Sequence, residues 1–316
     1  MSASRIVALS GGIGGAKLAL GLYRVLPAHA LALIVNTGDD FEHLGLTICP
    51  DLDTTLYTLA GLSNPQLGWG RRDETWTFMS TLETLGGETW FRLGDADLAL
   101  HVERTRRLKA GATLSAVIAE VAARFGIEAA ILPMADEPVR TRVATRSGEL
   151  AFQDYFVRQR CEPAITALSF AGAAQATLTA EALRALASPA LEAIIICPSN
   201  PYLSIDPILA VPGVRAALSA ARVPVIAVTP LVGGRAVKGP TAKIMGELGV
   251  ALAPTAIAAH YEGLIDGFVL DARDAALASQ FSTSVEVTDT VMVSLEDRER
   301  LAREVLNFAA ALGRRR

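Results

Sequence analysis

Ser10-Gly11-Gly12-Ile13-Gly14-Gly15-Ala16-Lys17 sets four glycines and a lysine between an apolar run, Ile6-Val7-Ala8-Leu9, and the helix-like stretch from Leu18 to Tyr23. A helix that begins at such a turn points its first unpaired N–H groups, and the positive end of its dipole, at whatever lies in the turn. That arrangement binds phosphate, and glycines let the backbone approach an anion that any Cβ would obstruct. Gly11, Gly12, Gly14 and Gly15 are therefore expected to cradle a phosphate, with Lys17 adding a full positive charge. The spacing is not that of a P-loop, because Ala16 stands where the second glycine belongs and Leu18 offers magnesium no hydroxyl. Nor is it the dinucleotide fingerprint, whose third glycine position holds Lys17. The alternative is a glycine-rich turn without a ligand.

A second group is acidic. The apolar run Leu31-Ala32-Leu33-Ile34-Val35 ends in Asn36-Thr37-Gly38-Asp39-Asp40. Two adjacent carboxylates beside a phosphate cradle would repel a polyphosphate unless a hard divalent cation sat between them, so Asp39 and Asp40 are candidate magnesium ligands. A ribose-gripping acid and an exposed Asp-Asp turn are the competing readings. Cys49-Pro50-Asp51-Leu52-Asp53-Thr54 brings two more acids to a helix start, where Asp53 or Thr54 is expected to cap. All three tryptophans, Trp69, Trp76 and Trp90, fall between Leu67 and Phe91, with Trp69 and Trp76 flanking Arg71 and Arg72. Tryptophan with arginine either grips a flat aromatic ligand or forms a local core. In Arg92-Leu93-Gly94-Asp95, Asp95 reads as the cap of the following helix, and His101, one turn past Asp97, is either a phosphate or metal contact or, as lone helical histidines usually are, structural.

The elements that must position these residues are legible in outline. Strand, helix, strand within the first forty residues opens a right-handed βαβ unit, which brings the glycine loop and the Asp39-Asp40 turn to one edge of a parallel sheet. Ala193-Ile194-Ile195-Ile196-Cys197 reads as a buried strand running into Pro198-Ser199-Asn200-Pro201, and Ser199, Asn200 and Ser204 are candidates for hydrogen bonds to phosphate or base. Val225 to Val228 repeats the pattern, and Arg235 and Lys238 in its glycine-containing sequel are a second expected anion contact. Arg140–Ala144 and Glu149–Val157 are expected to pair as a hairpin. The expectation is an α/β protein with a Rossmann-like, mostly parallel sheet flanked by helices, residues 1–316 forming a single α/β domain and residues 50–126 a mainly helical insert after the second strand.

The chain has 316 residues, is 51% hydrophobic and carries a net charge of −4, so nothing in its charge advertises a nucleic-acid partner. No leader or membrane span is apparent, and Arg314-Arg315-Arg316 reads as a solvated tail. Cys49, Cys161 and Cys197 are odd in number and widely spaced, which argues against a disulfide framework or zinc site and for a reducing cytoplasm.

Together the glycine loop, Val35-Asn36-Thr37-Gly38-Asp39-Asp40, Cys49-Pro50-Asp51-Leu52-Asp53-Thr54, Arg92-Leu93-Gly94-Asp95 and Pro198-Ser199-Asn200-Pro201 closely resemble the 2-phospho-L-lactate transferases of coenzyme F420 biosynthesis. The resemblance implies that a ribityl hydroxyl of the deazaflavin Fo attacks the phosphorus bearing a three-carbon acid in a guanosine diphosphate donor. GMP leaves and coenzyme F420-0 or a close analogue forms. It implies donor contacts from the glycine loop, Ser199, Asn200, Arg235 and Lys238, magnesium on Asp39 and Asp40, Fo contacts from Asp53 and Arg92 with Trp69 walling the ring, and a homodimer. Asp53 is also a candidate to orient or deprotonate the attacking hydroxyl. Relatives often carry Gly-Thr-Gly-Thr-Pro-Lys where this chain has Gly-Ile-Gly-Gly-Ala-Lys, so loop hydroxyl contacts do not carry over. The rival classes are a nicotinamide dehydrogenase and, nearer, a non-catalytic nucleotide-sugar-binding regulator.

Overall fold

A computed structural model describes residues 5–66, 68–236 and 239–313. The short apolar runs become strands and the periodic segments helices, in the order β1 (Ile6–Ser10), α1 (Gly12–Val25), β2 (Leu31–Val35), β3 (Phe41–His43), β4 (Leu46–Ile48), α2 (Pro50–Leu59), α3 (Thr77–Thr84), α4 (Asp95–Lys109), α5 (Leu114–Arg124) and β5 (Ala130–Pro133). There follow β6 (Arg140–Thr145), β7 (Gly148–Ala151), β8 (Ile165–Ala171), α6 (Ala180–Leu186), β9 (Ala193–Ile196), α7 (Asp206–Ala210), α8 (Val214–Ser219) and β10 (Val225–Val228). The chain closes with β11 (Leu231–Val232), β12 (Arg235–Ala236), α9 (Thr241–Glu247), α10 (Pro254–His260), β13 (Gly267–Asp271), β14 (Ser284–Thr288) and α11 (Leu295–Gly313).

Seven strands form one sheet in the order β14-β13-β10-β9-β1-β2-β5, every neighbouring pair parallel. Its inner strands β1, β2, β9, β10 and β13 are buried on both faces, as a sheet covered by helices on each side requires. Alternate residues feed two cores: Ile6, Ala8, Leu33 and Ile195 pack under α1, α2, α5 and α11, while Val7, Leu9, Ile34 and Ile196 pack under α6 to α10. The chain runs β1-β2-β5 to one side and β9-β10-β13-β14 to the other, so the order reverses between β1 and β9. In open α/β sheets ligands bind at that reversal, beyond the carboxyl ends of the strands.

Two expectations change. The hairpin is part of a three-stranded antiparallel sheet, β7-β6-β8, because the uncharged run after Pro163 supplies β8, and the region expected to continue the second strand turns into a π-helical turn over Asp154–Arg158. The tryptophan stretch builds its small local core without Trp69 and Trp76, which are exposed: Met79 packs with Ile48 and Leu93, and Phe78, Leu82 and Phe91 pack against them. Among the described residues no helix is long and apolar enough to cross a membrane.

Candidate active site

The glycine loop lies at the sheet's reversal point, pressed against the segment that follows β9. Gly11 is the N-cap of α1, and Gly12 takes a φ of 62°, which favours glycine. A Cβ on Gly14 would overlap the Pro198 carbonyl, one on Gly15 the Ser199 hydroxyl, and one on Gly11 the Asp51 carboxylate and Ser204. Ser199 Oγ donates to the Gly11 carbonyl at 2.8 Å and accepts from the Gly11 N–H at 3.1 Å. Asn200 Oδ1 accepts from Tyr202 and Leu203 N–H, and its Nδ2 donates to Thr241 at 3.0 Å. The glycines thus admit protein as well as any anion; Ser199 fastens the two loops together, while Asn200 holds its own turn and ties it to α9.

The acids continue from there. Asn36 donates to Asp51 Oδ2 at 2.9 Å and to the Leu203 carbonyl at 3.3 Å, which ties the Asp39-Asp40 turn to the glycine loop through Asp51. Asp39 and Asp40 are buried, and one oxygen of each, Oδ1, has no hydrogen-bond partner. Burial, with the neighbouring Asp51 carboxylate adding to it, pushes the Asp39 carboxyl well above the ordinary range. Burial pushes Asp40 up to about 7 against the pull of Arg140, Cys49 and Arg104. Buried carboxylate oxygens without partners are suited to a hard cation, which would restore the charged form.

The stability of the metal-free protein should reveal this. A folded carboxyl held near 7 instead of 3.8 keeps a proton that the unfolded chain releases, so the linked stability is present below about pH 4 and is lost as pH rises through about 7. At 1.36 kcal/mol per pH unit the loss is on the order of 4 kcal/mol at most. In chelator-treated protein, Asp40→Asn is expected to melt progressively higher than wild type between pH 5.5 and 8. A difference that stays constant with pH would contradict the buried, uncompensated charge.

A cavity of about 430 Å³ opens beside Asp39 and Asp40, walled by Phe41, His43, Trp90 and Phe152 and lined by Arg140, Arg142 and Arg158. The antiparallel sheet is fastened to it: Thr141 N–H donates to the Gly38 carbonyl at 2.8 Å and Gln153 Nε2 to the Asp39 carbonyl at 3.1 Å. His43 is buried with Nε2 unpartnered, and burial holds its imidazole below the ordinary value, so it is neutral at pH 7. Its ring meets Trp90 edge-on at 5.1 Å, and the Arg158 guanidinium lies 4.4 Å above the Trp90 ring.

Beneath the acids is a buried charge network. Arg104, fully buried, grips both oxygens of Asp53 and donates to the Thr47 carbonyl at 3.2 Å. Burial works against its charge, and Asp53, Cys49 and Asp40 outweigh that, holding the guanidinium above its ordinary value. Asp53, Asp97 and His101 offer ligand atoms that all lie within 4.8 Å of one another, a set compatible with a divalent metal. Arg104 already supplies positive charge to that set, and Tyr57 donates to Asp97 at 2.6 Å.

The remaining residues expected at the site fall in several places. Asp53 is in the first turn of α2, not its cap: Pro50 starts the helix and Cys49 precedes it. Lys17 Nζ donates to the Met292 carbonyl at 2.7 Å. Arg92 stacks on Trp76 at 4.2 Å, and Trp69 is 51% exposed; neither Arg92 nor Trp69 lines the cavity, where Trp90 stands instead. Asp95 does not cap its own helix. It accepts from the N–H groups of Thr77 and Phe78 at the start of α3, while Glu74 accepts from those of Ala96 and Asp97 at the start of α4. Gly94 leaves room for Glu74. Arg235 is exposed in the β11–β12 hairpin, and Lys238 lies outside the described residues.

Sequence reasoning missed Arg104, Arg140, Arg142, Arg158 and His43. The alternation Arg140-Thr141-Arg142-Val143 was a usable signal for two cations on one strand face, although it does not say what that face meets.

Residues 6–311 match the family model described as 2-phospho-L-lactate transferase CofD. The chain is 40% identical over 314 residues to the phosphoenolpyruvate transferase of Streptomyces griseus subsp. griseus, covering 96% of this chain and 98% of the relative. It is 40% identical over 301 residues to the 2-phospho-L-lactate transferase of Methanospirillum hungatei, covering 95% and 99%, and 35% identical over 306 residues to that of Methanosarcina barkeri, covering 96% and 98%. A solved UPF0052-family protein from Bacillus halodurans superposes with a TM-score of 0.63 at 14% identity over 97% of this chain and 99% of that one, a likeness of fold.

Proposed function

Because this chain belongs to the CofD family of 2-phospho-L-lactate transferases and is therefore a transferase, we propose that it moves a phosphorylated three-carbon acid from a guanosine diphosphate donor to the ribityl hydroxyl of Fo. The hydroxyl oxygen forms a bond to the phosphorus bearing the acid. The bond from that phosphorus to the bridging oxygen breaks, GMP leaves with the bridging oxygen, and the hydroxyl proton passes to solvent or to a nearby carboxylate. The product is coenzyme F420-0 or a close analogue.

The observation that carries this reading is the juxtaposition of buried, partnerless carboxylate oxygens with an aromatic and arginine-lined cavity in a chain matching the family from end to end. Asp39 and Asp40 would hold magnesium, which when bound offsets charge on the diphosphate. The first N–H groups of α1 past Gly12, with Lys17, Arg235 and Lys238, are proposed donor contacts. Ser199 keeps the two loops in register, and Ser199 and Asn200 are proposed to stand beside that donor site. Phe41, Trp90 and the neutral His43 suit a flat heteroaromatic ring better than exposed Trp69 does, while Asp53 and Arg92 stay as proposed Fo contacts by family analogy. Asp53 stays a proposed orienting group for the attacking hydroxyl, and positioning supplies much of phosphoryl-transfer catalysis. A homodimer and a cytoplasmic location belong to the same proposal.

Incubation with Fo, magnesium and the guanylylated donors of lactate, enolpyruvate and glycerate tests it. GMP and a phosphodiester of Fo are expected to appear in equal amounts with at least one donor. GMP absent with all three would leave the nucleotide-binding regulator as the better description.

A further inference from the structure

We propose that Arg142 is the specificity residue that recognises the carboxylate of the donor's three-carbon acid, an inference that rests on the transfer reading above. Three arginines line the cavity, and their surroundings differ. Arg158 is stacked on Trp90 and lies 3.4 Å from Glu88 and 3.5 Å from Asp154. Arg140 donates to the Val139 carbonyl at 2.8 Å and more distantly to that of Thr37 at 3.5 Å, and its charge acts on Asp40. The guanidinium of Arg142, half-buried, has no hydrogen bond or ion pair among the described residues. A half-buried arginine facing a cavity without a protein partner fits an anionic ligand.

The strand sets where that anion sits. Thr141 and Val143 are buried on one face of β6, so Arg140 and Arg142 share the other, about 6.6 Å apart along the chain. The cross-strand neighbours of Arg142 are Ala151 and Ser169, small enough to leave its side chain free. The hydrogen bond from Thr141 to Gly38 fixes this strand against the Asp39-Asp40 turn. A donor whose phosphates lie at Asp39, Asp40 and Arg140 therefore presents its next charged group, the carboxylate a few bonds from phosphorus, toward Arg142. A guanidinium fork matches a planar carboxylate with two parallel hydrogen bonds. Lactate, enolpyruvate and glycerate all carry that group, so Arg142 accepts any of them and rejects uncharged alcohols.

Calorimetric titration in magnesium buffer with two synthetic donors tests this: the guanosine diphosphate ester of lactate, and the isopropyl ester in which a methyl replaces the carboxylate. Wild type is expected to bind the lactyl donor about 10–100-fold more tightly. Arg142→Ala should lose that margin by weakening only the lactyl complex, and Arg142→Lys should recover part of it, since lysine keeps the charge but not the fork. Equal weakening toward both donors, or a wild type that binds both alike, overturns the assignment. Lactyl preference in a wild type that releases no GMP with Fo supports the carboxylate site and removes the transfer reading.

Discussion

Asp39→Asn is expected to reduce GMP release by at least about 100-fold, because a hard cation contributes several kcal/mol of charge stabilisation in phosphoryl transfer and each 1.36 kcal/mol is tenfold in rate. The fold should survive. Asp39 is buried with Oδ1 unpartnered, and burial together with Asp51 holds its carboxyl well above the ordinary range, so an amide relieves strain in the metal-free protein. Metal-free Asp39→Asn should accordingly melt no lower than wild type at pH 8, and saturating magnesium should return part of the lost turnover. Steady-state assays across a magnesium series, run beside melting curves, separate these effects. An unchanged magnesium dependence with normal turnover would remove Asp39 from the metal site.

Arg104→Met is expected to produce the largest loss of stability. It leaves Asp53, and through it the acids around Asp40, without the fully buried cation that grips both Asp53 oxygens. Breaking a buried pair from one side costs about 3–5 kcal/mol, since the orphaned charge has no water to return to. At about 2–4 °C per kcal/mol that is a fall of roughly 6–20 °C in Tm. The double replacement Asp53→Leu with Arg104→Met should recover much of the stability and none of the activity, because volume is kept and the charge is gone. Denaturant melts of the single and double variants decide the matter. A single variant melting within about 2 °C of wild type would show the pair to be dispensable.

Much of the frame was readable from residue order. Short apolar runs ending in glycine, aspartate or proline gave parallel strands whose carboxyl ends carry the candidate ligands, because strand period and turn chemistry are local properties of the chain. The glycine loop, the Asp39-Asp40 turn and the segment after β9 do meet at one sheet edge. Their neighbours were not readable. Asp95 and Glu74 exchange helix starts across a loop, which spacing alone assigns to the wrong helix.

The sequence by itself determined the α/β class, the motif set and the family likeness, since these depend on residues adjacent in the chain. Only tertiary structure decided that Ser199 would close on Gly11, that Arg104 on α4 would take Asp53 on α2, and that β6 would carry Arg142 to the acids. Those meetings join residues far apart in sequence, and they depend on how whole elements pack. Close packing allows one arrangement of buried charges and small residues at a time, and no short window of sequence contains that choice.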